Sequence, residues 1–176
     1  DRSGQVTVYC GATEIGQGSD DVLATIVAEV LGIDTGLVRC ITGDTGITPV
    51  DLGSYSSRVT IMMGNAAIAA AEKVRAQLAE AAAEQLQTLP ANLRFSRGKV
   101  FQAGSDKSLS FREAIKFAEE KFGTLGAVGS YSPPPPPGKY KGAGVGPSPA
   151  YSFTACVVEA SVDANTGWID VPKIWI

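Results

Sequence analysis

Two short loops carry the residues whose types and spacing could do chemistry. The first, Gly11-Ala-Thr-Glu-Ile-Gly16-Gln17-Gly18, lies between a β-prone stretch and a helical one. Three close glycines at such a point let backbone N–H groups face a ligand, and a helix N-terminus favours anions. Gly11 and Gly16 are spaced as in a phosphate-binding P-loop, but Gln17 and Gly18 stand where the lysine and the hydroxyl residue would be needed. Hydrolysis of a nucleoside triphosphate is therefore not expected, and the spacing is not that of a dinucleotide GxGxxG either. Asp20 and Asp21 would repel an anion unless they turn away, so a plain strand-to-helix turn stands beside cofactor contact as a reading. The second loop is Leu52-Gly53-Ser54-Tyr55-Ser56-Ser57-Arg58. Its hydroxyl and amide donors at a helix start suit a polar, anionic ligand. The alternative is that Ser56 or Ser57 merely caps the helix, with Arg58 in solvent.

Composition removes several other chemistries. There is no histidine, which excludes imidazole catalysis and the commonest zinc sites within the chain. Lys and Arg total 15 against 18 Asp and Glu, and the basic residues form no cluster, so no nucleic-acid partner is expected. No apolar run approaches the roughly 20 residues of a membrane span, so no membrane partner is expected. Cys10, Cys40 and Cys156 form no CxxC and lie in apolar, strand-like surroundings, which predicts buried structural thiols in a reducing, cytoplasmic compartment.

The elements that must position the loops follow from periodicity. Residues 5–10 alternate as a strand, and Ser19 is the expected N-cap of a helix carrying Leu23, Ile26, Val27, Val30 and Leu31, with Gly32 as its stop. Val38 to Ile41 reads as a short strand. From about Val59 an alanine-rich helix presents Met63, Ala67, Ala70, Val74, Leu78, Ala81 and Leu86 on one stripe, to be ended by Pro90. Leu93 to Phe95 and Lys99 to Phe101 flank Arg97-Gly98 as a hairpin. Ser110 and Glu113 form a capping-box pair ahead of a third helix. An extended stretch to Tyr131 precedes the run Pro133 to Pro137, which reads as a stiff surface connection. Tyr151 to Val162 and Trp168 to Ile176 flank a tight polar turn, Asp163 to Gly167. The expectation is an α+β fold, a mixed sheet with about three helices. Residues 1–176 are expected to be one partial domain, because both ends read as cuts through a longer polypeptide.

The motifs in order, Gly11 to Gly18, Gly53 to Arg58, Gly64-Asn65-Ala66, Tyr151-Ser-Phe-Thr-Ala-Cys-Val-Val-Glu159 and Val162 to Gly167, run the length of the chain. Together this set resembles the molybdopterin-binding subunit of the xanthine dehydrogenase and aldehyde oxidase family. Within it, Gly53 to Arg58 and Lys141-Gly-Ala-Gly-Val-Gly-Pro147 look closest to the large subunit of 4-hydroxybenzoyl-CoA reductases. The resemblance implies that Ile15, Gly16, Gln17 and Gly18 contact the pterin and its phosphate, while Ser54, Tyr55, Ser56 and Ser57 line the dithiolene side, Ser56 nearest the metal. It implies a molybdenum cofactor, in the cytosine dinucleotide form, with iron–sulfur clusters and FAD on partner domains or subunits. It further implies a small aromatic or heteroaromatic substrate, hydroxylated or reductively dehydroxylated.

No catalytic residue and no direct metal ligand is assigned. The family's phenylalanine-bearing glycine-rich loop is expected upstream of Asp1 and its catalytic glutamate downstream of Ile176; Glu14 and Glu159 are not that residue. On this reading the chain is part of an oxidoreductase and is inactive alone. The rival is an independent phospholigand or protein-interaction module without catalysis.

Overall fold

The computed structural model describes residues 1–134 and 154–176. Pro135 to Pro137 of the polyproline run, the Lys141 to Pro147 motif and Tyr151 to Phe153 lie outside the described residues.

The first unit is a strand, a crossover helix and a parallel strand. Strand β1 (Val6–Cys10) pairs in parallel with β2 (Val38–Thr42), Val6 opposite Val38 and Cys10 opposite Thr42. Parallel neighbours need a long crossover, here helix α1 (Ser19–Leu31). Leu23, Val27 and Leu31 recur every four residues and are buried with Ala24 and Ala28, so one face of α1 seals the core. The helix ends as expected at Gly32, which is left-handed (φ 65°). Gly32 is needed for a second reason: a Cβ there would lie 2.4 Å from the carbonyl carbon of Phe95. The expected N-cap is corrected. Ser19 is the first helical residue, and left-handed Gly18 precedes it with no side-chain cap of its own.

The alanine-rich segment opens differently from expectation. Val59–Met63 winds as a π-helical turn, and only then does α2 (Gly64–Leu86) follow. Such wide turns strain the hydrogen-bond ladder and recur near functional sites. Ala67, Leu78, Ala81 and Leu86 of the expected stripe are buried, while Met63, Ala70 and Val74 are half-buried. The helix stops before Pro90, at Gln87, which adopts a left-handed conformation (φ 54°).

Antiparallel strands β3 (Leu93–Ser96), β4 (Lys99–Gln102) and β5 (Ser108–Ser110) form a second small sheet, β5 being an addition to the expected hairpin. The capping box at Ser110 and Glu113 opens α3 (Phe111–Phe122) as the sequence requires. Phe111, Ala114, Ile115 and Ala118 bury its inner face. The stretch to Tyr131 pairs with no described strand. It crosses α2 instead, fastened by Lys73 Nζ donating to the Val128 carbonyl at 2.7 Å. Its passage requires Gly129, where a Cβ would fall 1.9 Å from the Ala66 oxygen.

Strands β6 (Val157–Val162) and β7 (Ile169–Trp175) form an antiparallel hairpin, shorter than expected among the described residues and fully exposed. Its turn closes through Asp163 N donating to Trp168 O at 2.9 Å, with Asp163 Oδ1 accepting from the Asn165 and Thr166 amides. The fold is α+β with three α-helices among the described residues, its strands shared between small parallel and antiparallel sheets.

The expectation of three buried thiols is met at Cys10 alone; Cys40 is half-buried and Cys156 is exposed. Cys156 lies just before the exposed hairpin, where no core reaches it. Burial pushes the Cys40 thiol up to about 11, with the Asp20 carboxylate adding to it, and burial likewise raises Cys10.

Candidate functional site

The glycine-rich loop and the serine-rich loop are joined by one side chain. Ser54 Oγ accepts from Thr13 N at 3.0 Å and donates to Thr13 O at 2.6 Å, acting as a one-residue strand partner. Behind this clamp the backbones touch. A Cβ on Gly11 would lie 2.2 Å from Pro49 O and 2.6 Å from Asp51 Cβ, so only glycine permits the approach.

The internal chemistry of the first loop centres on Glu14. Its Oε1 accepts from Gly16 N at 2.7 Å and Gly18 N at 3.0 Å, and its Oε2 accepts from Asp20 N at 3.2 Å and Ser19 Oγ at 3.3 Å. Those amides hold its carboxyl at about 2, the Gly18 bond contributing most. The sequence reading offered the Gly16 and Gly18 amides to a ligand; the structure commits both to Glu14. Asp20 does turn away, as a ligand at this loop requires: its carboxylate accepts from Thr42 Oγ1 at 3.1 and 3.2 Å.

Gln17 is also partly committed. Its Oε1 accepts from Ile15 N at 2.6 Å, and its Nε2 donates to Thr13 O at 3.1 Å and Ser19 Oγ at 2.9 Å. One Oε1 lone pair remains for a ligand. Around it the loop is open: Ile15 is 69% exposed, and a Cβ on Gly16 or Gly18 would meet nothing within 4 Å. A flat group could therefore lie directly on this backbone.

The second loop is fixed by an ion pair that the sequence did not reveal. Arg58, expected in solvent if Ser56 or Ser57 capped the helix, is buried, and its Nη1 donates to Asp51 Oδ1 at 2.7 Å and Gly53 O at 2.8 Å. Both side chains are only 5% exposed. Burial favours the neutral acid at Asp51, but the Arg58 bond and charge, with the Gly53 and Leu52 amides, outweigh it and hold the carboxyl below its ordinary value. Asp51 and Arg58 are seven apart across a loop of unknown shape, so no periodicity could have paired them. Ser56 and Ser57 do not cap a helix. Both are exposed and left-handed, with φ 51° and 52°, a conformation costly for non-glycine residues. Tyr55 is half-exposed, its ring 5.7 Å from the Arg58 guanidinium carbon.

A cavity of about 1030 Å³ beneath β1 is lined mainly by apolar residues such as Val8, Leu23, Met63 and Leu78, and contains none of Gln17, Ser54, Ser56 or Ser57. Its lining reaches the base of the clamped loops at Gly11, Pro49 and Asp51 but not the residues assigned to a ligand.

Fold and loops together give two backbone-rich turns brought side by side, each fixed internally by a carboxylate. Residues 1–176 match the family described as "Molybdopterin cofactor-binding domain". The gamma subunit of the 6-hydroxypseudooxynicotine dehydrogenase complex of Paenarthrobacter nicotinovorans is 38% identical over 121 residues, 69% of this chain and 15% of that protein. The probable hypoxanthine oxidase XdhD of Escherichia coli (strain K12) is 30% identical over 177 residues, 99% of this chain and 17% of that protein. Among solved structures, quinoline 2-oxidoreductase from Pseudomonas putida 86 superposes with a TM-score of 0.70 at 25% identity, covering 99% of this chain and 22% of that one. The Cu,Mo-CO dehydrogenase superposes with a TM-score of 0.71 at 25% identity, over 99% of this chain and 21% of that one. The chain belongs to the molybdopterin cofactor-binding domains of the xanthine dehydrogenase and CO dehydrogenase family. It spans 15% and 17% of the length of the two relatives named. Among the described residues, no helix is long and apolar enough to cross a membrane.

Proposed function

We propose that the clamped loops hold the pterin end of a molybdenum cofactor within the large subunit of a molybdenum hydroxylase-type oxidoreductase. The observation that carries this reading is the pair of hydrogen bonds between Ser54 and Thr13, which sets the Gln17 turn and the Ser56 turn side by side. Residues and ligand are compatible: open backbone at Gly16 and Gly18, an unused Gln17 lone pair, and exposed Ser56 and Ser57 hydroxyls form a hydrogen-bonding floor for a polar, planar group. When bound, the cofactor supplies the redox chemistry; the chain's own share is binding and orientation.

In this arrangement Gly16 and Gly18 present their peptide planes, Gln17 accepts a ligand N–H, and Ser54 to Ser57 border the dithiolene side, with Ser56 nearest the metal. Ser54 contributes by clamping, because its hydroxyl already donates and accepts. The intact enzyme would carry the cytosine dinucleotide form, draw on iron–sulfur and FAD domains or subunits, and act in the cytoplasm on a small aromatic or heteroaromatic substrate. Reductive dehydroxylation of 4-hydroxybenzoyl-CoA is the narrower reading, supported by the sequences of Gly53 to Arg58 and Lys141 to Pro147.

The test is the double variant Gln17→Ala, Ser56→Ala in the intact complex, with molybdenum per protomer as readout. A large loss of metal with unchanged circular dichroism is expected; full retention would reject the assigned roles.

A further inference from the structure

We propose that Glu14 is the positioning residue of the cofactor loop: its carboxylate takes the anion position at the start of α1 and so fixes residues 16–19 in the shape against which the cofactor docks. This rests on the reading that the loop binds the cofactor.

A loop with two left-handed glycines, Gly16 (φ 97°) and Gly18 (φ 75°), has no intrinsic reason to hold one shape. The residue preceding α1 is Gly18, which has no side chain to satisfy the first amides of the helix. Glu14 supplies the missing acceptor from four residues upstream. One oxygen gathers Gly16 N and Gly18 N and the other gathers Asp20 N and Ser19 Oγ, so four donors spread over five residues converge on a single group. Ser19 Oγ also accepts from Gln17 Nε2 at 2.9 Å. The Gln17 side chain is thus oriented through a hydroxyl that Glu14 holds, linking Glu14 to the residue assigned to the ligand. The carboxyl lies at about 2, so the lock stays charged throughout the physiological range.

The experiment uses the complete, cofactor-loaded enzyme with Glu14→Ala and Glu14→Gln, read by molybdenum per protomer and by amide hydrogen exchange of the segment 14–20. Glu14→Ala should speed exchange at Gly16, Gly18 and Asp20 by about tenfold or more, the equivalent of one lost charge-assisted bond. It should also lower metal content. Added formate should restore both by occupying the vacated position. Glu14→Gln keeps the shape and one acceptor, should show intermediate losses, and should not respond to formate because its carboxamide fills the space; it also carries the test should the alanine variant not fold. Full metal content in Glu14→Ala, with or without faster exchange, overturns the proposal, as does exchange identical to the parent. The two readings fail separately. If Gln17→Ala, Ser56→Ala keeps its metal, the cofactor reading falls; if that variant loses metal and Glu14→Ala does not, only the role of Glu14 falls.

Discussion

Replacing Arg58 by alanine should destabilise the protein by about 3 kcal/mol, because it strips a buried carboxylate of its counter-charge. The magnitude follows from the geometry. Arg58 and Asp51 are each 5% exposed and meet at 2.7 Å, while the same Nη1 also satisfies Gly53 O at 2.8 Å. Without the guanidinium, the Asp51 carboxylate keeps only uncharged backbone amides, Gly53 N at 2.8 Å and Leu52, among the described residues. Removing one member of such a pair costs about 3–5 kcal/mol. Arg58 Nε is itself buried without a partner among the described residues, and relief of that defect, worth about 1 kcal/mol, places the net loss at the lower end. Urea unfolding followed by circular dichroism measures it. A variant with both members apolar, Asp51→Leu with Arg58→Met, should recover to within about 1 kcal/mol of the parent, since the pair's attraction mainly offsets its own desolvation. The pH dependence has a fixed sign. The folded Asp51 carboxyl lies below its ordinary 3.8, so its contribution is full above that value and disappears as pH falls through the lowered one. The gap between parent and Arg58→Ala should therefore close in acid. A single variant within about 0.5 kcal/mol of the parent at neutral pH, or a gap that widens in acid, refutes the buried pair.

Two further outcomes follow from the packing. Gly129→Ala should destabilise by about 2 kcal/mol or more in the same unfolding assay, because its Cβ would fall 1.9 Å from the Ala66 oxygen and only a backbone shift could relieve it. Alkylation with iodoacetamide at pH 8, read by mass spectrometry, should label exposed Cys156 quickly while Cys10 and Cys40 stay intact, burial having pushed Cys40 up to about 11.

The elements themselves were legible because local signals agreed with the tertiary answer. Ser110 and Glu113 sit three apart before an amphipathic run, and both halves of the capping box form. Gly32 follows the last apolar residue of α1 and takes the left-handed stop. Legibility fails where a residue's partner is set by a loop's path. Ser19 has the composition of an N-cap, yet Glu14 reaches the first amides from outside the helix and displaces it. Arg58 reads as a surface cation until the loop from Asp51 folds back over it. The segment 124–131 reads as extended, but that it crosses helix α2 is not visible in its composition, and Gly129 marks the crossing.

The same distinction explains how the site is built. Residues that look ligand-like by type, Ser54 and the Gly16 and Gly18 amides, are largely consumed in shaping the loops. Those left outward, Ile15, Tyr55, Ser56 and Ser57, have exposed side chains, and the two serines hold a backbone conformation that costs about 1 kcal/mol or more each. Such strain survives only when the surroundings over-determine it. Here the surroundings are the Arg58–Asp51 pair on one side of the serines and the Ser54–Thr13 clamp on the other. A strained, solvent-facing pair of hydroxyls held between two internal locks is poorly explained by the stability of the chain alone. On the cofactor reading proposed above, recognition of a ligand would account for it, because the cost of ordering the donors is then met on folding and not again on binding.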